Sequence, residues 1–86
     1  MRLEDIIERL EVFDNDATIY AEAAWRPDAR AAVAIEPEDG SLPAEAIGLT
    51  YFLEVDIALD VARGTPGSRF QRVLYYAEND AYLPER

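Results

Sequence analysis

The stretch Thr50-Tyr51-Phe52-Leu53-Glu54-Val55-Asp56-Ile57-Ala58-Leu59-Asp60-Val61-Ala62-Arg63 decides what this chain can fold into. It is the longest apolar run, and the rest of the chain must pack around it. Two templates fit it. Leu53, Val55, Ile57, Leu59 and Val61 alternate with Glu54, Asp56, Ala58 and Asp60, the period of a half-buried strand. Leu53, Ile57 and Val61 also recur every four residues, with Phe52, Val55, Leu59 and Ala62 on the adjacent ridge, the period of a helix. Three features favour the helix. The run is long for a strand. Gly64 follows Arg63, as a terminating glycine follows a basic last turn. On a helix Asp56, Asp60 and Arg63 share a solvent face, and Glu54 sits in the first turn, where the dipole favours an anion. The expectation is a central helix.

The flanking segments are clearer. Leu3, Ile6, Ile7 and Leu10 stand at the spacing of an amphipathic helix over about residues 3–12. Asp14-Asn15-Asp16 reads as a turn. From Ala17 to Trp25 the pattern alternates, with Ile19, Ala21, Ala23 and Trp25 on one face and Thr18, Tyr20, Glu22 and Ala24 on the other. Arg26-Pro27-Asp28-Ala29 fits a turn, and residues 31–36 form a second strand, giving an antiparallel hairpin. Its many alanines let a helix approach closely. Residues 36–41 are a loop, and residues 43–47 fit one helical turn ending at Gly48. After the break Gly64-Thr65-Pro66-Gly67, Ser68 and Gln71 form a capping-box pattern. Phe70, Val73, Leu74 and Ala77 then continue a helix to about Asn79. Tyr82 and Leu83 can anchor the tail. The expected fold is α+β in one domain over residues 1–86: an N-terminal helix, an antiparallel β-hairpin and two C-terminal helices packed in two layers.

Charge narrows the function. There are 18 acids and 8 basic residues, a net charge of −10. Every basic residue is arginine, and no basic residue falls between Arg30 and Arg63, where seven acids do. Such a chain repels nucleic acid and anionic lipid, so a charge-driven partner is basic. The absence of cysteine removes any disulfide framework, and Met1-Arg2-Leu3-Glu4-Asp5 lacks the apolar core of a signal peptide. A cytoplasmic protein is expected.

Thr18-Ile19-Tyr20-Ala21, Trp25, Ala32-Val33-Ala34, Glu36-Pro37-Glu38-Asp39-Gly40, Gly48, Tyr51-Phe52-Leu53-Glu54-Val55 and Tyr75-Tyr76-Ala77-Glu78-Asn79-Asp80-Ala81-Tyr82 together resemble a family of small, acidic, uncharacterised bacterial proteins. The resemblance spans residues 18–82. It implies a bacterial source and helices for the last two elements. It implies no activity and carries over no functional residue.

Several chemistries are excluded by composition. Without Cys or His there is no thiol nucleophile, no Ser-His-Asp triad and no zinc site of the usual ligands. Without Lys there is no Schiff base and no P-loop lysine. No cofactor is expected. Carboxylates remain: Asp56 and Asp60 lie one turn apart, and Glu54 and Glu78 adjoin apolar residues, but paired acids at helical spacing are ordinary on a solvated face. Asp14-Asn15-Asp16 and residues 36–40 lack the further oxygens of a calcium loop. Trp25, Tyr51, Tyr75, Tyr76 and Tyr82 are aromatic candidates for a binding surface, with core-edge packing as the ordinary alternative.

The acidic surface is the strongest signal. It points to a non-enzymatic inhibitor or adaptor that docks a basic protein, such as a nuclease toxin or a nucleic-acid-binding protein, in the manner of immunity proteins and nucleic-acid mimics. The candidate contact residues are Trp25, Glu36, Glu38, Asp39, Glu54, Asp56 and Asp60. Acidity that serves solubility alone is the plain alternative. Two rival functions remain: a self-associating homodimer, suggested by the apolar excess from Phe52 to Val61, and a carboxylate-only metal binder or small enzyme.

Overall fold

The computed structural model describes residues 1–64 and 67–81. Thr65, Pro66 and the tail anchors Tyr82 and Leu83 lie outside the described residues. Three helices, α1 (Leu3–Glu8), α2 (Val55–Ala62) and α3 (Arg69–Asn79), accompany three strands, β1 (Thr18–Ala21), β2 (Ala31–Ala34) and β3 (Thr50–Glu54). Short 3-10 turns occupy Leu10–Val12 and Ala44–Ala46. The strands form one antiparallel sheet in the order β2-β1-β3. The fold is α+β, with a third strand joining the expected hairpin.

That third strand corrects the central expectation. Residues 50–63 are not one helix: their first part is β3, and the helix begins only at Val55. The reason is a β-bulge. Ile19 faces Leu53 and Tyr20 faces Tyr51, so Phe52 has no partner of its own on β1. In a regular strand Phe52 and Leu53 would point to opposite faces. The bulge instead allows both to be buried, at 1% and 5% exposed. Two adjacent large apolar residues facing one core are what imitated a helical ridge. Glu54 is still extended, and from there α2 buries Val55, Ala58, Val61 and Ala62. The run is too long for one strand because it is a strand and a helix in succession.

The N-terminal segment keeps its expected face and shortens its helix. Leu3, Ile6, Ile7 and Leu10 are fully buried, but α1 ends at Glu8 and Leu10 opens the 3-10 turn. No side chain caps α1. Its first donors are served by the hairpin connection: the N–H of Leu3 donates to Ala29 O at 2.9 Å and that of Glu4 to Pro27 O at 2.9 Å. Ala31 N donates to Met1 O at 2.7 Å, so the chain start covers part of the edge of β2.

β1 ends at Ala21, short of the expected Trp25, because the chain turns there. Ala24 adopts a left-handed φ of 72°, and Trp25 N donates to Glu22 O at 3.3 Å. β2 ends at Ala34 rather than residue 36. The main core gathers Leu3, Ile6, Ile7 and Leu10 with Ile19, Ala21, Phe52, Leu53, Val55, Ala58, Val61 and Val73. A smaller cluster of Tyr20, Ala46 and Leu49, with Ala32 beside it, lies apart from that core.

α3 begins with the expected capping box. Ser68 Oγ accepts from Gln71 N at 3.1 Å, and Gln71 Oε1 accepts from Ser68 N at 3.0 Å. Arg69 ties α3 to the start of the chain. It donates to Ile7 O at 3.1 Å and Glu8 O at 3.3 Å, at the end of α1, and grips both carboxylate oxygens of Glu11 at 3.0 and 2.6 Å. Arg72 donates to Ala62 O and Gly67 O, bridging the end of α2 to the start of α3.

Candidate functional site

Strand alternation separates two faces of β1. Ile19 and Ala21 join the main core. Thr18 and Tyr20 point the other way. Their cross-strand neighbours are Ala34 and Ala32 on β2, and Glu54 and Tyr51 on β3. Small residues on β2 leave this outer face low. Ala46 and Leu49 pack over Tyr20 and Ala32. A cleft of about 260 Å³ lies on this face. β1 lines it with Thr18 and Tyr20, β3 with Tyr51 and Glu54, and the loop after β2 with Glu36, Gly40, Ser41 and Leu42.

The lining has a definite chemistry. Among the described residues it contains two carboxylates, Glu36 and Glu54, and no basic residue. Among the described residues the ion pairs are Arg2–Glu4, Arg2–Asp5 and Arg69–Glu11, and none involves either glutamate. Burial pushes the Tyr51 hydroxyl above its ordinary pKa, and the charge of Glu54 raises it further, with Asp56 and Asp80 adding to the effect. Thr18 and Tyr20 are only 7% and 6% exposed. Neither hydroxyl is hydrogen-bonded to another described residue. The one fully enclosed, unpartnered side-chain polar atom among the described residues is Arg72 Nε, so these two hydroxyls are reached from outside.

The acids expected at the site are only partly gathered. Glu36 and Glu54 both line the cleft although they stand 18 positions apart in sequence. Glu38 and Asp39 are exposed on the adjoining turn. There Gly40 takes a φ of +76° and donates to Pro37 O at 3.0 Å. Asp39 Oδ1 accepts from Ser41 N at 2.9 Å, and hydrogen bonding from Ser41 keeps its carboxyl below the ordinary pKa. Asp56 and Asp60 are exposed on α2 and do not line the cleft. Asp56 Oδ1 accepts from Ile57 N at 2.8 Å.

Trp25 belongs elsewhere. It is half-buried against the main core, with its ring edge-on to Phe52 at 4.9 Å. Its indole N–H donates to Thr50 Oγ1 at 3.3 Å, and Thr50 donates to Ala21 O at 2.9 Å. It lines a separate, larger depression of about 610 Å³ with Ala23, Ala24, Thr50, Ala77 and Glu78.

Sequence reasoning passed over Thr18, Tyr20, Ser41 and Leu42. A signal for the first two was present, since both fall on the face of β1 opposite Ile19. Ser41 and Leu42 are brought in by a loop conformation that periodicity does not encode. The turn at Asp14 engages its own side chain, with Oδ1 accepting from Asp16 N at 2.9 Å. Among the described residues no three carboxylates converge as a metal site, and no helix is long and apolar enough to cross a membrane. No family model matches the chain, and no curated protein or solved structure proved similar to it.

Proposed function

We propose that this protein is a non-enzymatic, cytoplasmic inhibitor or adaptor that docks a basic protein, in the manner of immunity proteins and nucleic-acid mimics. The helices and the sheet act as two layers, with the helical layer as scaffold and the outer sheet face as the working surface. One observation carries the reading: Glu36 and Glu54, from separate segments, line one cleft with no counter-cation among the described residues, in a molecule of net charge −10. An unbalanced pair of acids in a concave site attracts a cationic group and steers its approach. Leu42 and Tyr51, each 52% exposed, add apolar contact beside those charges. Tyrosine in particular supplies rigid contact area at protein interfaces.

The test is capture from a lysate of the source organism, washed at ~50 mM and then ~500 mM salt, over which screening shortens from about 14 Å to about 4 Å. A stoichiometric basic protein, weakened or released by the second wash, is the expected result. Retention of no basic protein at ~50 mM salt contradicts the reading. Ile35 and Ile47, at 59% and 67% exposed, favour a second reading, self-association. A concentration-dependent sedimentation coefficient supports it, and an invariant monomer removes it.

A further inference from the structure

We infer that the outer-face cleft is a receptor for a single arginine side chain presented by the partner. The inference rests on the docking reading and specifies what that surface grips. The acids alone do not carry it. The second observation is that Thr18 and Tyr20, residues more than nine-tenths buried, line the cleft with hydroxyls that are reached from outside and bonded to no other described residue. Hydroxyls that open onto a cleft without a protein partner keep their donors and acceptors available to an incoming ligand.

The lining also discriminates between cations. Two carboxylates and two hydroxyl oxygens offer several acceptors from different directions. A guanidinium carries five N–H donors in a planar fan, whereas an ammonium carries three around a point. Tyr51, which lines the cleft and is half exposed, supplies aromatic surface for a flat cation. Guanidinium is also less strongly hydrated than ammonium and enters a partly enclosed cleft at lower cost. Leu42 at the rim suits the methylene stem. Arginine therefore uses every class of group in the lining, and lysine leaves the hydroxyls underused.

The test uses the intact chain and two small probes, N-acetyl-arginine methylamide and its lysine counterpart, titrated by amide NMR at ~50 mM salt. Saturable shifts are expected at Thr18, Tyr20, Glu36, Tyr51 and Glu54, with arginine binding several-fold tighter than lysine. Glu54→Gln is expected to weaken arginine about tenfold, the effect of losing one charge-assisted hydrogen bond. Tyr20→Phe keeps the ring and is expected to narrow the difference between arginine and lysine. Equal affinity for the two probes overturns the inference, as do shifts spread over the acidic surface or an unchanged preference in Tyr20→Phe. If the arginine probe misses the cleft while a salt-sensitive partner is still captured, the inference fails and the docking reading stands. If the probe seats in the cleft and no protein is captured, the docking reading fails, and with it the partner as the source of the arginine, while the cleft's selectivity for a guanidinium stands.

Discussion

Single residues carry most of the specificity of this fold, and Phe52 carries the most. It is the unpaired residue of the bulge, it is fully buried, and its ring meets Trp25 edge-on. Phe52→Ala should cost about 3–5 kcal/mol. Small domains have ~5–15 kcal/mol in all. Chemical denaturation is expected to show a much lower midpoint, and a loss under 1 kcal/mol would contradict the packing described. Ala24 gives the opposite case. Its φ of 72° is unfavourable for any residue with a Cβ. Ala24→Gly should therefore stabilise the protein by about 1 kcal/mol, partly offset by the greater freedom of glycine in the unfolded chain. A lower melting temperature would show that the Ala24 methyl makes contacts outweighing the strain. Neither effect was legible in the sequence, where Phe52 reads as one ridge residue among several and Ala24 as an alternating strand position.

At the scale of elements, α3 is held by its start. Ser68→Ala removes the cap to Gln71 N and should cost about 1 kcal/mol. Arg69 joins α3 to the end of α1 and to Glu11. Hydrogen bonding from Arg69 is the largest cause lowering the Glu11 pKa from 4.5 to about 2. A carboxylate depressed in the folded state stabilises it fully above the unfolded value and ceases to do so as pH falls through the folded value. The contribution of Glu11 is thus present above pH 4.5 and lost towards about pH 2. Glu11→Gln should flatten the pH dependence of the melting temperature in that window, and an unchanged slope would contradict the pairing. Helices α1 and α3 were legible because their apolar spacing and capping box are local. The 50–63 run was not, because a bulge and a strand-to-helix change depend on which strand lies alongside. The cleft was legible in its acids, Glu36 and Glu54, but not in Thr18 and Tyr20, which the fold brings to the same lining.

At the scale of the whole molecule, charge bears on stability and, under the proposed function, on docking. A net charge of −10 on a small domain repels itself. Raising salt from ~20 to ~500 mM should therefore raise the melting temperature, since screening relieves that repulsion. A fall would mean that local ion pairs such as Arg69–Glu11 outweigh it. Under the proposed docking function the same field would draw a basic partner, but net charge alone would not choose where the partner sits. The central claim is that the outer-face cleft does so. The decisive measurement compares two variants of equal net charge in capture of the basic partner: Glu36→Arg with Glu54→Arg, and Glu8→Arg with Asp16→Arg. All four positions are exposed, so both proteins are expected to fold. The account predicts that reversal in the cleft abolishes retention while reversal at Glu8 and Asp16 weakens it only slightly. Equal loss in the two variants would show that bulk charge governs binding, and would contradict a site at the cleft.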